Sequence, residues 1–247
     1  MRLLTSINYL IRTRFHIKVL NMPRKSLDRQ LQFIRDDLLL LGSMVETALE
    51  GSVSALKDHD MEKSRSIFNN DPHINAKRFN LEGLAITTIA TQSPVLFDLR
   101  FLASALIICT ELERIGDYAK AIARINLISE GISVPCLLSL IYGMGIKTSD
   151  MLHRAMTAFI YTNEPSAVRI ISDDDMIDEM YNNLYSEVME FVVRDARSVE
   201  RANYLIWAAH NLERAADRVT NICKRTIYVE TGELYDMDIS NPHLPKQ

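Results

Sequence analysis

Two short segments carry carboxylates at a spacing that suits a cation. Leu112-Glu113-Arg114-Ile115-Gly116-Asp117 and Leu212-Glu213-Arg214-Ala215-Ala216-Asp217 both read Leu-Glu-Arg-x-x-Asp, one hundred residues apart. Each lies in a long, proline-free segment of apolar periodicity, so Glu113 with Asp117, and Glu213 with Asp217, fall four apart on a helix. That spacing sets both carboxylates on one face, within about 6 Å. Like charges so placed repel by a few tenths of a kcal/mol unless a cation offsets them. Arg114 and Arg214 could supply the offset, or a bound metal could.

A second acidic element precedes each motif. Asp71-Pro72-His73-Ile74-Asn75 stands before the first, and Asp173-Asp174-Asp175-Met176-Ile177-Asp178 before the second, with Asp174 and Asp178 again four apart. Antiparallel packing of successive helices would bring Asp71 and Asn75 beside Glu113 and Asp117, and Asp174 and Asp178 beside Glu213 and Asp217. Oxygen ligands without cysteines or paired histidines favour magnesium, calcium, manganese or iron over zinc. His210, one turn before Glu213, could add a nitrogen, but Thr110 stands at the matching place and favours a surface histidine. The plain alternative for all these acids is a solvated helix face with weak intrahelical ion pairs. Against it, the two halves keep Glu, Arg and Asp while their flanks have drifted.

Catalytic signals are missing. A di-metal carboxylate bundle needs Glu-x-x-His on two helices, and the nearest approach is Asp150-Met151-Leu152-His153. There is no phosphate-binding glycine loop, no G-x-S-x-G and no H-E-x-x-H. The chain is therefore expected not to be an enzyme.

With 247 residues, 47% hydrophobic and 24% charged, the chain can bury a core or two. Only 8 Gly and 7 Pro leave little punctuation for a many-stranded fold, so the expected class is all-α. A net charge of −4 gives no basic field for nucleic acid. Cys109, Cys136 and Cys223 lack CxxC spacing and have apolar neighbours, which reads as buried thiols in a reducing cytoplasm. Residues 1–26 hold six Arg and Lys and no acid. They are expected to be a disordered extension, a basic arm on anionic lipid, or an upstream start with Met22 as the true beginning. No signal peptide or membrane span is expected.

Apolar spacing predicts helices over 27–57, 61–91, 95–129, 137–161, 165–195 and 199–230, with Ser26 capping the first and a kink or break at Pro72 in the second. Residues 131–135 make a hinge, and 233–247 a frayed tail. The repeated motif late in the third and sixth helices implies a duplicated unit. Two tandem three-helix bundles follow, one over 27–131 and one over 137–232. Trp207 and the methionines at helical spacing are expected in the core.

Glu111 to Asp117, together with Asn211 to Cys223, resembles the paired signature of the PhoU family of phosphate-transport regulators. Ser93-Pro94 before Asp98-Leu99-Arg100, and Leu41-Gly42-Ser43-Met44-Val45-Glu46, are also similar to that family. The resemblance implies a non-enzymatic regulator that restrains the phosphate-starvation response. Its implied partners are the phosphate ABC transporter, through its ATPase subunit, and a sensor histidine kinase, so membrane contact would be indirect. It implies metal, whether iron, magnesium or manganese, on Glu113, Asp117, Asp71 and Asn75 and on Glu213, Asp217, Asp174 and Asp178. Asn75 replaces a carboxylate and lowers the charge of the first site. A homodimer is expected, although no residue fixes its interface. The competing reading is a metal-storage or redox bundle.

Overall fold

A computed structural model describes residues 3–129 and 134–234, with side chains from Arg24 onward except Ala196. Among them there are helices and no strand. The chain runs through α1 (Leu3–Asp58), α2 (Met61–Gln92), α3 (Leu96–Ile128), α4 (Pro135–Ile160), α5 (Glu164–Ser172), α6 (Asp174–Arg194) and α7 (Val199–Thr231), with a 3₁₀ turn at Ala196–Ser198. α1, α2 and α3 pack as one bundle; α4, α5 with α6, and α7 pack as the second. The bundles meet along α3 on α7 and α1 on α4. The two-bundle plan is the one the repeat implied.

Three boundaries differ from expectation. α1 starts at Leu3, not after Ser26, and takes in the basic stretch. Residues 3–22 hold no glycine or proline, and Pro23 interrupts a helix only by its missing N–H and its ring. α2 likewise passes through Pro72 without a break. The residues around it explain why: Asp71 and Ile74 are both buried, so continuing the helix keeps them seated on α3. The middle arm of the second bundle is instead split at Asp173, which ends α5 and begins α6. Three consecutive aspartates are poor helix formers, and Asp173 Oδ2 is drawn off to Arg154 at 2.7 Å. Asp174 and Asp175 then fall in the first turn of α6, where the helix dipole favours them. Residues 131–133 of the expected hinge and the tail from 235 lie outside the described residues.

The apolar stripes of α1 and α3 behave as read, whereas in α2 Phe68, Phe79 and Ile86 turn outward. Leu27, Leu31, Ile34, Leu38, Leu41, Val45 and Leu49 of α1 are buried, as are Leu102, Ala105, Cys109, Leu112, Ala119 and Ala123 of α3. A window of α1 within Arg24–Asp58 is long and apolar enough by composition to cross a bilayer, yet half of it is buried in this protein core. Three core assignments are corrected, the first being Met176, which is 45% exposed on the outer face of α6. Trp207 is 46% exposed because its helix face looks past the core, and Cys136 is exposed in the first turn of α4. Met144, Met151 and Met156 are buried as expected.

Polar fastenings close the ends. Asn126 of α3 is buried and donates through Nδ2 to Ala55 O at 3.0 Å and Ser64 Oγ at 2.8 Å, tying the α1–α2 turn to the bundle. Arg100 Nε donates to Val229 O at 3.0 Å, beside the left-handed Gly232 that stops α7.

The bundles approach most tightly at Gly145 of α4, where an added Cβ would lie 2.6 Å from Val53 Cγ1 of α1. Gly145→Ala should therefore lower the free energy of unfolding in urea by about 1–3 kcal/mol, because the α1–α4 contact must open. Gly83→Ala, with nothing within 4 Å, should be neutral or stabilising by up to about 1 kcal/mol.

Candidate functional site

α2 and α3 run antiparallel, which sets the acidic element of one against the motif of the other. Asp71 is 5% exposed, and its Oδ2 takes a 2.7 Å ion pair from Lys120 and a 3.2 Å hydrogen bond from Asn75 Nδ2. Arg78, two turns further along α2, reaches Glu113 at 3.4 Å while its Nε donates to Glu82 at 2.9 Å. Burial, then repulsion from Asp117, raises the Glu113 carboxyl above its usual range, against the pull of Arg78. Burial and Asp71 raise Asp117 in the same way, against Lys120. So Asp71, Asn75, Glu113 and Asp117 do come together, and they do so around two internal cations.

In the second bundle α6 and α7 bring Asp174, Asp178, Glu213 and Asp217 together. Asp174 is pushed up to about 7, by burial first and then by Asp178, Asp217, Asp175 and Glu213. Asp178 and Glu213 are also raised, in each case by burial and then by Asp217. The nearest relief is His210, whose Nδ1 lies 3.1 Å from Glu213 Oε2 without hydrogen-bond alignment, so that buried oxygen accepts no bond. Tyr181 packs its ring 6.2 Å from the His210 ring.

The difference between the sites lies in residues that motif reading passed over. Superposing Asp71 on Asp174 in the middle helices, and Glu113 on Glu213 in the last ones, matches Arg78 with Tyr181 and Lys120 with Thr220. Each cation of the first site is thus replaced by a neutral side chain in the second. The signal was present in the repeat, because Lys120 follows Asp117 by three residues and its counterpart could have been compared. Asp150 and His153 stand apart from both sites, on Arg154 at 2.8 Å and on Glu46 at 3.0 Å respectively.

A hard divalent cation suits the second cluster in donor type and charge: four carboxylates, raised proton affinities and an unpartnered Glu213 oxygen. The first cluster has its own unpartnered buried oxygen, Asp71 Oδ1, but fits less well because it holds three carboxylates, not four, and the Lys120 ammonium already occupies Asp71 Oδ2. Among the described residues no three His, Cys, Asp or Glu side chains converge tightly enough to cage one ion. Binding in the second cluster therefore needs side-chain rotation toward a shared centre.

Comparison with known proteins gives a consistent result. The PhoU domain family model matches residues 38–125 and 141–226, one match per bundle. A protein of Clostridium acetobutylicum named phosphate-specific transport system accessory protein PhoU homolog is 31% identical over 88% of this chain and 100% of its own length. The Escherichia coli K12 phosphate-specific transport system accessory protein PhoU is 28% identical, covering 83% of this chain and 85% of that protein. The crystal structure of the phosphate transport system regulatory protein PhoU from Streptococcus pneumoniae superposes with a TM-score of 0.78 at 30% identity, over 85% of this chain and 100% of that one.

Charge at the second site sets a pH dependence in metal-free protein. A carboxyl raised to about 7 binds its proton more tightly folded than unfolded, so its contribution falls as pH rises from about 4 through 7. Asp174→Asn should accordingly raise Tm at pH 8 by about 2–4 °C and change it little at pH 5. An equal effect at both pH values would remove the charge explanation. In the first site, Lys120→Met leaves Asp71 buried without its ion pair and should cost about 2–4 kcal/mol in urea unfolding. Adding Asp71→Leu to Lys120→Met should recover much of that loss.

Proposed function

The chain belongs to the PhoU family, and on that premise we propose that it is a non-enzymatic accessory regulator of phosphate uptake and phosphate-starvation signalling. It acts as a cytoplasmic adaptor on the inner face of the membrane, contacting the ATPase subunit of the phosphate ABC transporter and the phosphate-sensing histidine kinase. It works as a homodimer. The observation that carries the adaptor reading is a fold built of two family domains over most of the chain, matching relatives named as accessory proteins of phosphate-specific transport along their length.

Metal enters this reading asymmetrically. Asp174, Asp178, Glu213 and Asp217 hold a divalent cation, magnesium, manganese or iron, which neutralises the uncompensated carboxylates of α6 and α7. When bound, it supplies charge and cross-links the two helices. Asp71 and Glu113 are paired with Lys120 and Arg78, so the first cluster depends less on a cation. What this chain's own residues do is fix the first bundle internally and leave the second responsive to a cation.

Two measurements test the reading. Alkaline phosphatase output at high phosphate should rise in a strain lacking the gene and fall again on complementation; output that stays low in the deletion strain removes the regulatory role. For the metal, saturating Mn²⁺ or Mg²⁺ should raise Tm of the purified protein by about 5–10 °C, the range expected when ligand stands near a hundredfold above Kd. The double variant Asp174→Asn with Glu213→Gln should lose that rise. Asp71→Asn with Glu113→Gln should keep it, and the opposite pattern would reverse the assignment of the sites.

A further inference from the structure

Neither the adaptor reading nor the metal uses a groove that lies beside the first acidic cluster. α2 and α7 both pack on α3 but not on each other, so α3 is the floor of a channel between them. Where Phe68 of α2 and Trp207 of α7 stand on its two sides, the channel widens into a cavity of about 400 Å³ floored by Ala121, Ile125 and Ile128. The two aromatic side chains are 36% and 46% exposed, and no ring contact joins them. Open space between two unstacked aromatic walls on an aliphatic floor suits a planar ring.

The polar lining is sparse and sided. Lys120 Nζ sits 5.3 Å from the centre of the Phe68 ring, and Arg124 follows one turn later on α3. Arg124 is exposed and has no ion pair or hydrogen bond among the described residues. Asp117, one turn before Lys120, contributes an acceptor at the other end. An aromatic ligand with an anionic group at one end and N–H or O–H donors at the other would meet all three.

Nor does the bundle plan require this groove. Its counterparts in the second half are Ile171 for Phe68, Thr220 for Lys120, Asn221 for Ala121 and Ile107 for Trp207. The aromatic walls, the ammonium and the small floor residue are all particular to one side. Arg124 and Asp117, matched by Lys224 and Asp217, are common to both halves.

We propose that this groove binds a small aromatic anion of the nucleotide class. The ring lies between Phe68 and Trp207, the phosphate meets Arg124 and Lys120, and Asp117 accepts from an amino or hydroxyl group. Engaging Lys120 would draw it from Asp71 Oδ2, which links the groove to the acidic cluster of the same bundle.

The chain has a single tryptophan, so its emission reports on this groove alone. The full-length protein, in buffer free of divalent metal, is titrated with AMP, adenosine and inorganic phosphate while Trp207 fluorescence is followed. AMP should give a saturable change with half-saturation below about 1 mM. Adenosine and phosphate separately should each be at least about tenfold weaker, because each makes only part of the contact. Arg124→Gln should weaken AMP about tenfold and leave adenosine unchanged, whereas Phe68→Ala should weaken both. Both side chains are exposed, and melting curves matching wild type would show that the variants fold. No saturable change up to about 10 mM AMP, or one that neither variant alters, overturns the proposal. So does a result in which nucleotides are silent while the transporter ATPase subunit shields Trp207 from acrylamide, which would make the groove a protein-docking surface.

Discussion

The close approach that α3 permits underlies the whole molecule. It packs on α1 and α2 in its own bundle and on α7 in the other, so three helices share one cylinder. Large side chains on every face would hold those neighbours apart. Ala105, Cys109, Gly116, Ala119 and Ala123 avoid that, all of them fully buried or facing the core. At Gly116 an added Cβ would already lie 3.4 Å from Ile74 Cδ1 of α2. The narrow seam sets the spacing at which Asp71 of α2 meets the α3 motif. The acidic cluster is therefore a consequence of packing before it is a matter of chemistry.

From the same geometry the two bundles draw opposite electrostatic outcomes. In the first, a buried carboxylate is answered within the chain, by an ammonium at 2.7 Å and an amide at 3.2 Å. In the second, tyrosine and threonine stand where the cations were, and the carboxylates raise one another's proton affinity. A buried charge without a partner is costly. Asp178 is exposed and Asp174, Glu213 and Asp217 are half-buried, so water bears part of that cost, and burial with acidic neighbours pushes Asp174 up to about 7. The two copies share the scaffold and all but one of the acids, Asn75 standing where the second has Asp178, and they differ at the two positions that supply cations to the first.

The interface between bundles carries its own polar set. Glu111 of α3 lies 3.5 Å from both Arg218 and Asn221 of α7. With Gly145 seated against Val53, and Arg100 on the last carbonyls of α7, these contacts join the halves at several levels.

The sequence by itself determined the helical class, the duplication and the membership of Asp71, Asn75, Glu113 and Asp117, and of Asp174, Asp178, Glu213 and Asp217, in two clusters. Apolar periodicity and i, i+4 spacing are local properties, and an internal repeat transfers what is learned on one half to the other. Helix ends were less legible. Pro72 looked like a break, yet burial of its neighbours Asp71 and Ile74 outweighed the lost hydrogen bond, while the break came at Asp173, where Arg154 captures a side chain. Only the tertiary structure decided which carboxylates are neutralised, because Lys120 reaches Asp71 across 49 residues of chain. It also decided that Trp207 faces a groove and not the core, since that depends on α2 and α7 standing apart on either side of α3.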